Sequence, residues 1–231
     1  MLSDAMEDYL KAIYVLQREE DGPVSTSALA EYLDKTAPTV TSMVGKLAER
    51  GLAEREKYRG VELTGEGERV ALEVIRHHRL LEAYLSEHLD YAPSEVHAEA
   101  DALEHHISEE FERRVAAMLD DPVVDPHGDP IPSEDLLPPE EEEETDALTE
   151  FDDGDSVIVA RVSDRDEAEL SYLEDAGVTP GTQLDVVEVA PFGMVTVRID
   201  EQLQSLPKAV AASVRVRPTC EESEQATEGT A

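Results

Sequence analysis

Residues 25–64 read STSALAEYLDKTAPTVTSMVGKLAERGLAEREKYRGVELT, and this stretch decides the fold of the amino-terminal part of the chain. Ser25 or Thr26 caps a short helix that runs through Leu33. Thr36 opens a second helix, with Pro38 in its first turn and Gly51 just past its end. Two short helices separated by about three residues make a helix-turn-helix. The segment LAEREKYRGVELT at 52–64 then reads as a two-stranded hairpin, turning near Tyr58-Arg59-Gly60. A helix-turn-helix followed by a hairpin is a winged helix-turn-helix.

Upstream, AMEDYLKAIYVLQRE at 5–19 places Ala5, Tyr9, Ile13 and Leu16 on one face, with Leu10 and Ala12 alongside. That spacing predicts an amphipathic helix, closed by the break at Asp21-Gly22-Pro23. Downstream, residues 65–88 form a long helix carrying Val70, Leu72, Val74, Ile75, Leu80, Leu81, Tyr84 and Leu85. Pro93 starts another, and Ser108 to Leu119 a third, with Phe111, Val115 and Met118 as its apolar stripe. Residues 120–151 are rich in Pro, Asp and Glu and include five consecutive glutamates at 140–144, a block that repels itself and reads as linker. Beyond it, DSVIVARV, TQLDVVEV, MVTVRI and SVRVR alternate as short strands, with turns at Pro180-Gly181 and Pro191-Phe192-Gly193 and a helical turn, DEAELSYLEDAG, after the first. Such a series predicts a small β-barrel. The expected fold is therefore mainly α with a small β domain. It divides into a winged helix at 1–64, a helical segment at 65–140, an acidic linker at 141–151, a β domain at 152–218 and a disordered tail at 219–231.

The net charge is −36, and only five lysines accompany fourteen arginines. A solvated carboxylate surface with few lysines suits a protein working in concentrated salt, where screening shortens charge repulsion to a few ångströms. Cys220 is the single cysteine, so no disulfide forms within the chain and a reducing compartment is expected. No apolar run approaches the ~20 residues of a membrane span and no signal-peptide pattern opens the chain, so the expected location is the cytoplasm, with no membrane partner.

Within this acidic chain, residues 35–59 hold Lys35, Lys46, Arg50, Arg55, Lys57 and Arg59 against three acidic residues. The excess coincides with the second helix and the wing, where neutralising DNA phosphates needs it. Ser27, Thr36, Thr39, Thr41 and Ser42 offer short hydroxyls for phosphates or base edges, Ala37 offers a methyl, and Pro38 sits in the same turn. Lys46, Arg55, Lys57 and Arg59 are the expected phosphate contacts.

The run HAEADALEHHISEE at 97–110 carries the chemistry. At about 100° per residue, His97, Asp101, Glu104 and His105 fall within roughly a 100° arc of one helix. His78 and Glu82 share a face of the long helix, four residues apart, and Asp8 lies on the first helix. His77, His88 and His106 fall off those faces. Carboxylates and imidazoles without thiols make a site for a divalent ion such as Mn²⁺ or Fe²⁺.

In this order, MEDYLKAIYVL, APTVTSMVGKLAERGL, LTGEGE, HHRLLEAYL, HAEADALEHHISEE and DPHGDPIPS resemble the diphtheria-toxin-repressor family of metal-dependent transcriptional regulators. GVTPGTQLDVVEVAPFGMVTVRI resembles the SH3-like domain that this family shares with ferrous-transport accessory proteins. The charge marks a salt-adapted, haloarchaeal-type member. The resemblance implies a primary metal site at Asp8, Asp101, Glu104 and His105. It implies an ancillary site at His78, Glu82 and His97, completed by Asp166 and Glu169 of the β domain. In the manganese-sensing branch the histidine matching His78 joins a paired site instead, and an acidic residue stands where this chain has Lys11. Several relatives carry a cysteine at Asp125 beside the histidine matching His127, which marks a further weak site. The iron-responsive archetype uses methionine and cysteine where this chain has Asp8 and Asp101, and hard oxygen ligands favour Mn²⁺ while accepting Fe²⁺.

The expected function is a homodimeric repressor that binds a palindromic operator when Mn²⁺ or Fe²⁺ acts as corepressor, controlling metal-homeostasis genes. Without metal, Asp8, Asp101 and Glu104 are expected to repel and leave the first helix loose. Three other readings stand beside it. They are a metallohydrolase using Glu104 as base, a winged-helix regulator of an organic ligand, and a metal-independent interaction role for the β domain.

Overall fold

The computed structural model describes residues 2–20, 22–56, 59–137, 145–190 and 193–219. The chain divides into two compact units, Met1–Glu140 and Glu141–Ala231.

The first unit opens with α1 (Asp4–Glu20), α2 (Thr26–Tyr32), α3 (Ala37–Glu49) and the hairpin β1 (Ala53–Glu56) and β2 (Gly60–Leu63). Ser25 caps α2 by accepting from the Ala28 amide. Thr36 holds the N-cap position of α3, but its hydroxyl makes no cap bond and lies 2.9 Å from the Thr39 hydroxyl instead. Leu10 and Ile13 of α1, Leu29 of α2, Val40, Val44 and Leu47 of α3, Val61 of β2 and Leu72 of the next helix are buried together. Each such side chain contributes about 1.5–3 kcal/mol by leaving water. The hairpin is tied to this core by reciprocal amide–carbonyl bonds of 2.9 Å between Val24 and Val61. Gly60 makes that approach feasible: its φ is +126°, and a Cβ there would stand 2.4 Å from the Val24 carbonyl oxygen.

Three helices follow: α4 (Gly65–Leu89), α5 (Pro93–Leu103) and α6 (Glu109–Met118). Thr64 caps α4, and Asp90 ends it in the left-handed conformation with φ 58°. α5 stops at Leu103, with Glu104 as its C-cap. The expected helical arc thus holds through Glu104, whose amide still bonds the Ala100 carbonyl at 2.9 Å, and gives way beyond it to a turn in which the His106 amide bonds the Leu103 carbonyl, so His105 lies past the helix. α6 begins at the Ser108 cap and buries Val115, while Phe111 and Met118 of its expected apolar stripe remain exposed.

Residues 120–137, whose composition reads as linker, are folded. Asp125 Oδ1 accepts from the His127 and Asp129 amides at 2.8 and 2.9 Å. Arg76 donates to the Pro132 carbonyl at 2.6 Å, and Arg79 to that of Pro130. Ile131 is buried with Leu80, Val115 and Leu119. Side-chain bonding to the backbone and one apolar anchor outweigh the polar composition here.

The second unit holds β3 (Asp146–Ala147), a 3₁₀ turn (Leu148–Glu150), β4 (Ser156–Val162), α7 (Glu167–Asp175), β5 (Gln183–Ala190), β6 (Met194–Ile199), β7 (Gln202–Pro207), α8 (Lys208–Ala212) and β8 (Val214–Pro218). It thus begins inside the stretch expected as linker, where Leu148 is fully buried. The six strands form one antiparallel sheet in the order β3-β8-β4-β5-β6-β7, an SH3-like arrangement. No β3–β7 pairing closes it into a barrel among the described residues. Val157 and Val159 of β4 face the core, and a register shift between Val159 and Arg161 brings Val162 inward in place of residue 161. Thr219, at the start of the expected disordered tail, donates its amide to the Ser156 carbonyl at 3.1 Å; residues 220–231 lie outside the described residues.

Candidate metal centre

α1, α4 and the end of α5 meet around the Glu104 carboxylate, which is 2% exposed. Its two oxygens face different ways. Oε1 lies 3.4 Å from His105 Nε2, and the same imidazole nitrogen is 2.8 Å from Asp8 Oδ1. Oε2 lies 2.6 Å from His78 Nδ1 and 2.9 Å from Lys11 Nζ. Asp101 joins the second side, its Oδ1 3.2 Å from both Lys11 Nζ and His78 Nδ1. The expected primary set is thus gathered around one residue but divided: Asp8, Glu104 and His105 form one corner, and His78, Asp101 and Glu104 another.

A third group lies along α4. His78 Nε2 is 2.9 Å from Glu82 Oε1 and 3.2 Å from His97 Nδ1, and His97 Nδ1 is 3.3 Å from that same oxygen. A fourth comprises Glu82, Asp125 and His127, all buried. There Glu82 Oε2 and His127 Nδ1 stand 3.7 Å apart, and neither has a hydrogen-bond partner among the described residues. A buried carboxylate oxygen and a buried imidazole nitrogen left unpaired are costly. A cation satisfies both, so this donor set fits a metal ion. All four groups offer carboxylate oxygen and imidazole nitrogen, the chemistry that suits Mn²⁺ or Fe²⁺.

The electrostatics follow from this crowding. Burial works against the charged form of Lys11, but the Glu104 and Asp101 carboxylates outweigh it and its pKa is raised. Burial and Lys11 disfavour charge on His78, yet Glu82, Asp101 and Glu104 hold its pKa well above the ordinary value. His105 is likewise raised, burial being outweighed by Glu7, Glu104 and Asp8. Asp101 is depressed despite burial, chiefly by the His78 hydrogen bond. Asp8 is raised, because burial outweighs His105. The three carboxylates are therefore not left to repel. Lys11 and His105 already bridge α1 to the end of α5, which corrects the picture of a first helix held loose by bare charges.

Glu7 and His77 belong to this centre although the pattern of spacings passes over both. Glu7 Oε2 accepts from His105 Nδ1 at 2.8 Å, directing Nε2 toward Asp8. His77 Nδ1 donates to the Glu104 carbonyl at 3.1 Å and Nε2 lies 3.3 Å from Glu112, fixing the turn that carries Glu104. Their signal was adjacency, Glu7 to Asp8 and His77 to His78. Asp166 and Glu169 stand at the start of α7 in the second unit, where Asp166 Oδ1 accepts from the Ala168 and Glu169 amides at 2.9 and 3.0 Å.

The other face of the first unit presents the expected nucleic-acid contacts. Ser27, Thr36, Ala37, Pro38, Thr39, Thr41, Ser42 and Lys46 are all exposed, while Val40, Val44 and Leu47 turn inward. Arg55 and Arg59 are exposed on the wing; Lys57 lies outside the described residues.

Comparison with known proteins agrees with this arrangement. Residues 1–61 match the family described as the iron dependent repressor, N-terminal DNA binding domain. Residues 64–133 match its metal binding and dimerisation domain, and residues 147–218 the FeoA domain. The chain is 35% identical over 226 residues to the iron-dependent repressor IdeR of Mycobacterium tuberculosis (strain ATCC 25618 / H37Rv), covering 93% of this chain and 97% of that one. It is 34% identical over 224 residues to the diphtheria toxin repressor of Corynebacterium efficiens, covering 93% and 96%. Among solved structures, a manganese-dependent transcriptional repressor in complex with manganese superposes with a TM-score of 0.85 at 38% identity, covering 93% of this chain and 100% of that one. The manganese regulator SloR superposes with a TM-score of 0.75 at 33% identity, covering 93% and 98%. The DNA-binding, metal-binding and dimerisation, and FeoA models follow one another along this sequence, and the chain belongs to the iron-dependent repressor family of metal-dependent transcriptional regulators.

Proposed function

We propose that this protein is a DNA-binding repressor in which Mn²⁺ or Fe²⁺ is the corepressor, and that it acts as a homodimer on a palindromic operator of metal-homeostasis genes. One observation carries the reading: Asp8 on α1 and Glu104 and His105 beyond α5 offer three ligand atoms within 4.8 Å of one another. The same α1 buries Leu10 and Ile13 against the helices of the DNA-binding head. When bound, a divalent ion supplies the positive charge that lets these donors share one centre. Asp8 then holds α1, and α1 holds the spacing of the two α3 helices at about one DNA turn, 34 Å. Metal and DNA affinities are coupled reciprocally.

Mn²⁺ is the favoured ion because Asp8 and Glu104 present hard oxygens. Exposed Phe111 and Met118 on α6 supply apolar surface for the dimer, and the extreme charge suits a salt-rich cytoplasm. The metallohydrolase reading needs a carboxylate free to act as base, whereas Glu104 is engaged through both oxygens. The test is capture of genomic fragments by the full chain at high potassium. Binding with Mn²⁺ that chelation abolishes supports the reading. Binding indifferent to metal, or turnover of generic phosphoesters, overturns it.

A further inference from the structure

Lys11 stands one helical turn beyond Asp8 on α1, so the two share a face. That face meets the Glu104 carboxylate with a ligand on one side and a cation on the other. The Lys11 ammonium donates to two carboxylates, Asp101 Oδ1 at 3.2 Å and Glu104 Oε2 at 2.9 Å, and lies 3.0 Å from His78 Nδ1. These three atoms are themselves close enough to hold a metal ion. His78 Nδ1 is 2.6 Å from Glu104 Oε2 and 3.2 Å from Asp101 Oδ1. The ammonium therefore lies among the donors of a three-ligand corner, not on a solvated surface.

We propose that Lys11 is a tethered cation filling one half of a two-cation site. The His78–Asp101–Glu104 corner consequently takes no divalent ion, and the Asp8–Glu104–His105 corner takes one. The inference rests on the metal-centre reading above and deepens it, since it fixes the number of ions at the shared carboxylate. Burial of Glu104 makes compensation of its charge obligatory. Lys11 supplies that compensation on the Oε2 side at every metal concentration, leaving only the Oε1 side to respond to the free ion. A second ion bridged to the first by Glu104 would need Glu104 Oε2, Asp101 Oδ1 and His78 Nδ1 as its donors, and the ammonium already stands within 3.2 Å of all three.

The experiment is Mn²⁺ stoichiometry of the chelator-stripped full chain by equilibrium dialysis, with electron paramagnetic resonance of the loaded protein. Variants are Lys11→Met, which removes the charge and keeps the stem, Lys11→Glu, which adds a ligand, and Lys11→Arg, which keeps the charge. Far-ultraviolet circular dichroism verifies that each folds. Met and Glu variants gain one Mn²⁺ per chain over the wild type, the Arg variant does not, and the Glu variant shows an exchange-coupled Mn²⁺ pair that the wild type lacks. Equal stoichiometry in the wild type and in the Met and Glu variants overturns the inference and leaves the metal reading standing, as does a coupled pair in the wild type. A wild-type chain that takes up no Mn²⁺ overturns both.

Discussion

His105 Nε2 lies 2.8 Å from Asp8 Oδ1, a contact across 97 residues of sequence that joins α1 to the turn beyond α5. Through it a ligand event is felt by the helix on which the DNA-binding head packs. Asp8→Ala or His105→Ala removes one of three donors from that corner. Either substitution lowers Mn²⁺ affinity about 10–100-fold or more, read by calorimetric titration of the stripped protein. An unchanged isotherm places the ion elsewhere.

Protons compete with the ion for the His105 imidazole. Glu7, Glu104 and Asp8 raise its pKa in the metal-free fold, and metal ligation needs it neutral. Mn²⁺ affinity therefore climbs as pH rises through that raised value, with a proton released on binding. The stability sign runs the other way for the metal-free chain. Groups with raised folded values stabilise below the unfolded value of about 6.5 and lose that contribution as pH rises through the folded one. Thermal unfolding without metal falls in midpoint as pH rises above the unfolded imidazole value of about 6.5, and Mn²⁺ restores it most at the alkaline end. A metal-free midpoint rising over that range contradicts this account.

Lys46 on α3 and Arg55 on β1 are exposed and point away from the core. Replacing either by Ala weakens DNA binding about equally on all sequences and lowers the slope of log affinity against log salt by about 1. Fluorescence anisotropy over a potassium series measures this. A sequence-selective loss at unchanged slope would instead make the side chain a base reader.

Gly60 is the hinge of the wing. Its φ of +126° and the 2.4 Å approach to the Val24 oxygen leave no room for a Cβ. Gly60→Ala costs about 1–3 kcal/mol in urea unfolding and displaces Arg55 and Arg59, so DNA affinity falls with stability. A variant as stable as the wild type shows that the hairpin is not anchored on Val24.

Periodicity and capping residues made the helices of the first unit legible, because Leu10, Ile13, Val40, Val44 and Leu47 obey the helical repeat and do face the core. The ligand residue types were legible too, but not their grouping. Helical spacing ran on through His105, whereas α5 ends at Leu103 and tertiary bonds, His77 to the Glu104 carbonyl among them, set the turn. The composition of residues 120–137 reads as linker because their order comes from Asp125 bonding nearby amides and from two arginines on α4 reaching the Pro130 and Pro132 carbonyls, contacts that composition does not encode. The inward shift of Val162 depends on a β-bulge, which breaks the very alternation used to find strands.

The central claim is that one divalent ion, held by Asp8, Glu104 and His105, couples α1 to DNA affinity. It is tested most directly by anisotropy titrations of an operator fragment, at fixed high potassium, with and without Mn²⁺, for the wild type and Asp8→Ala. The account predicts at least about tenfold tighter binding with Mn²⁺ for the wild type, corresponding to 1.4 kcal/mol of coupling, and no response in the variant. Equal affinities with and without Mn²⁺ in the wild type, or an equal Mn²⁺ response in both proteins, would contradict it.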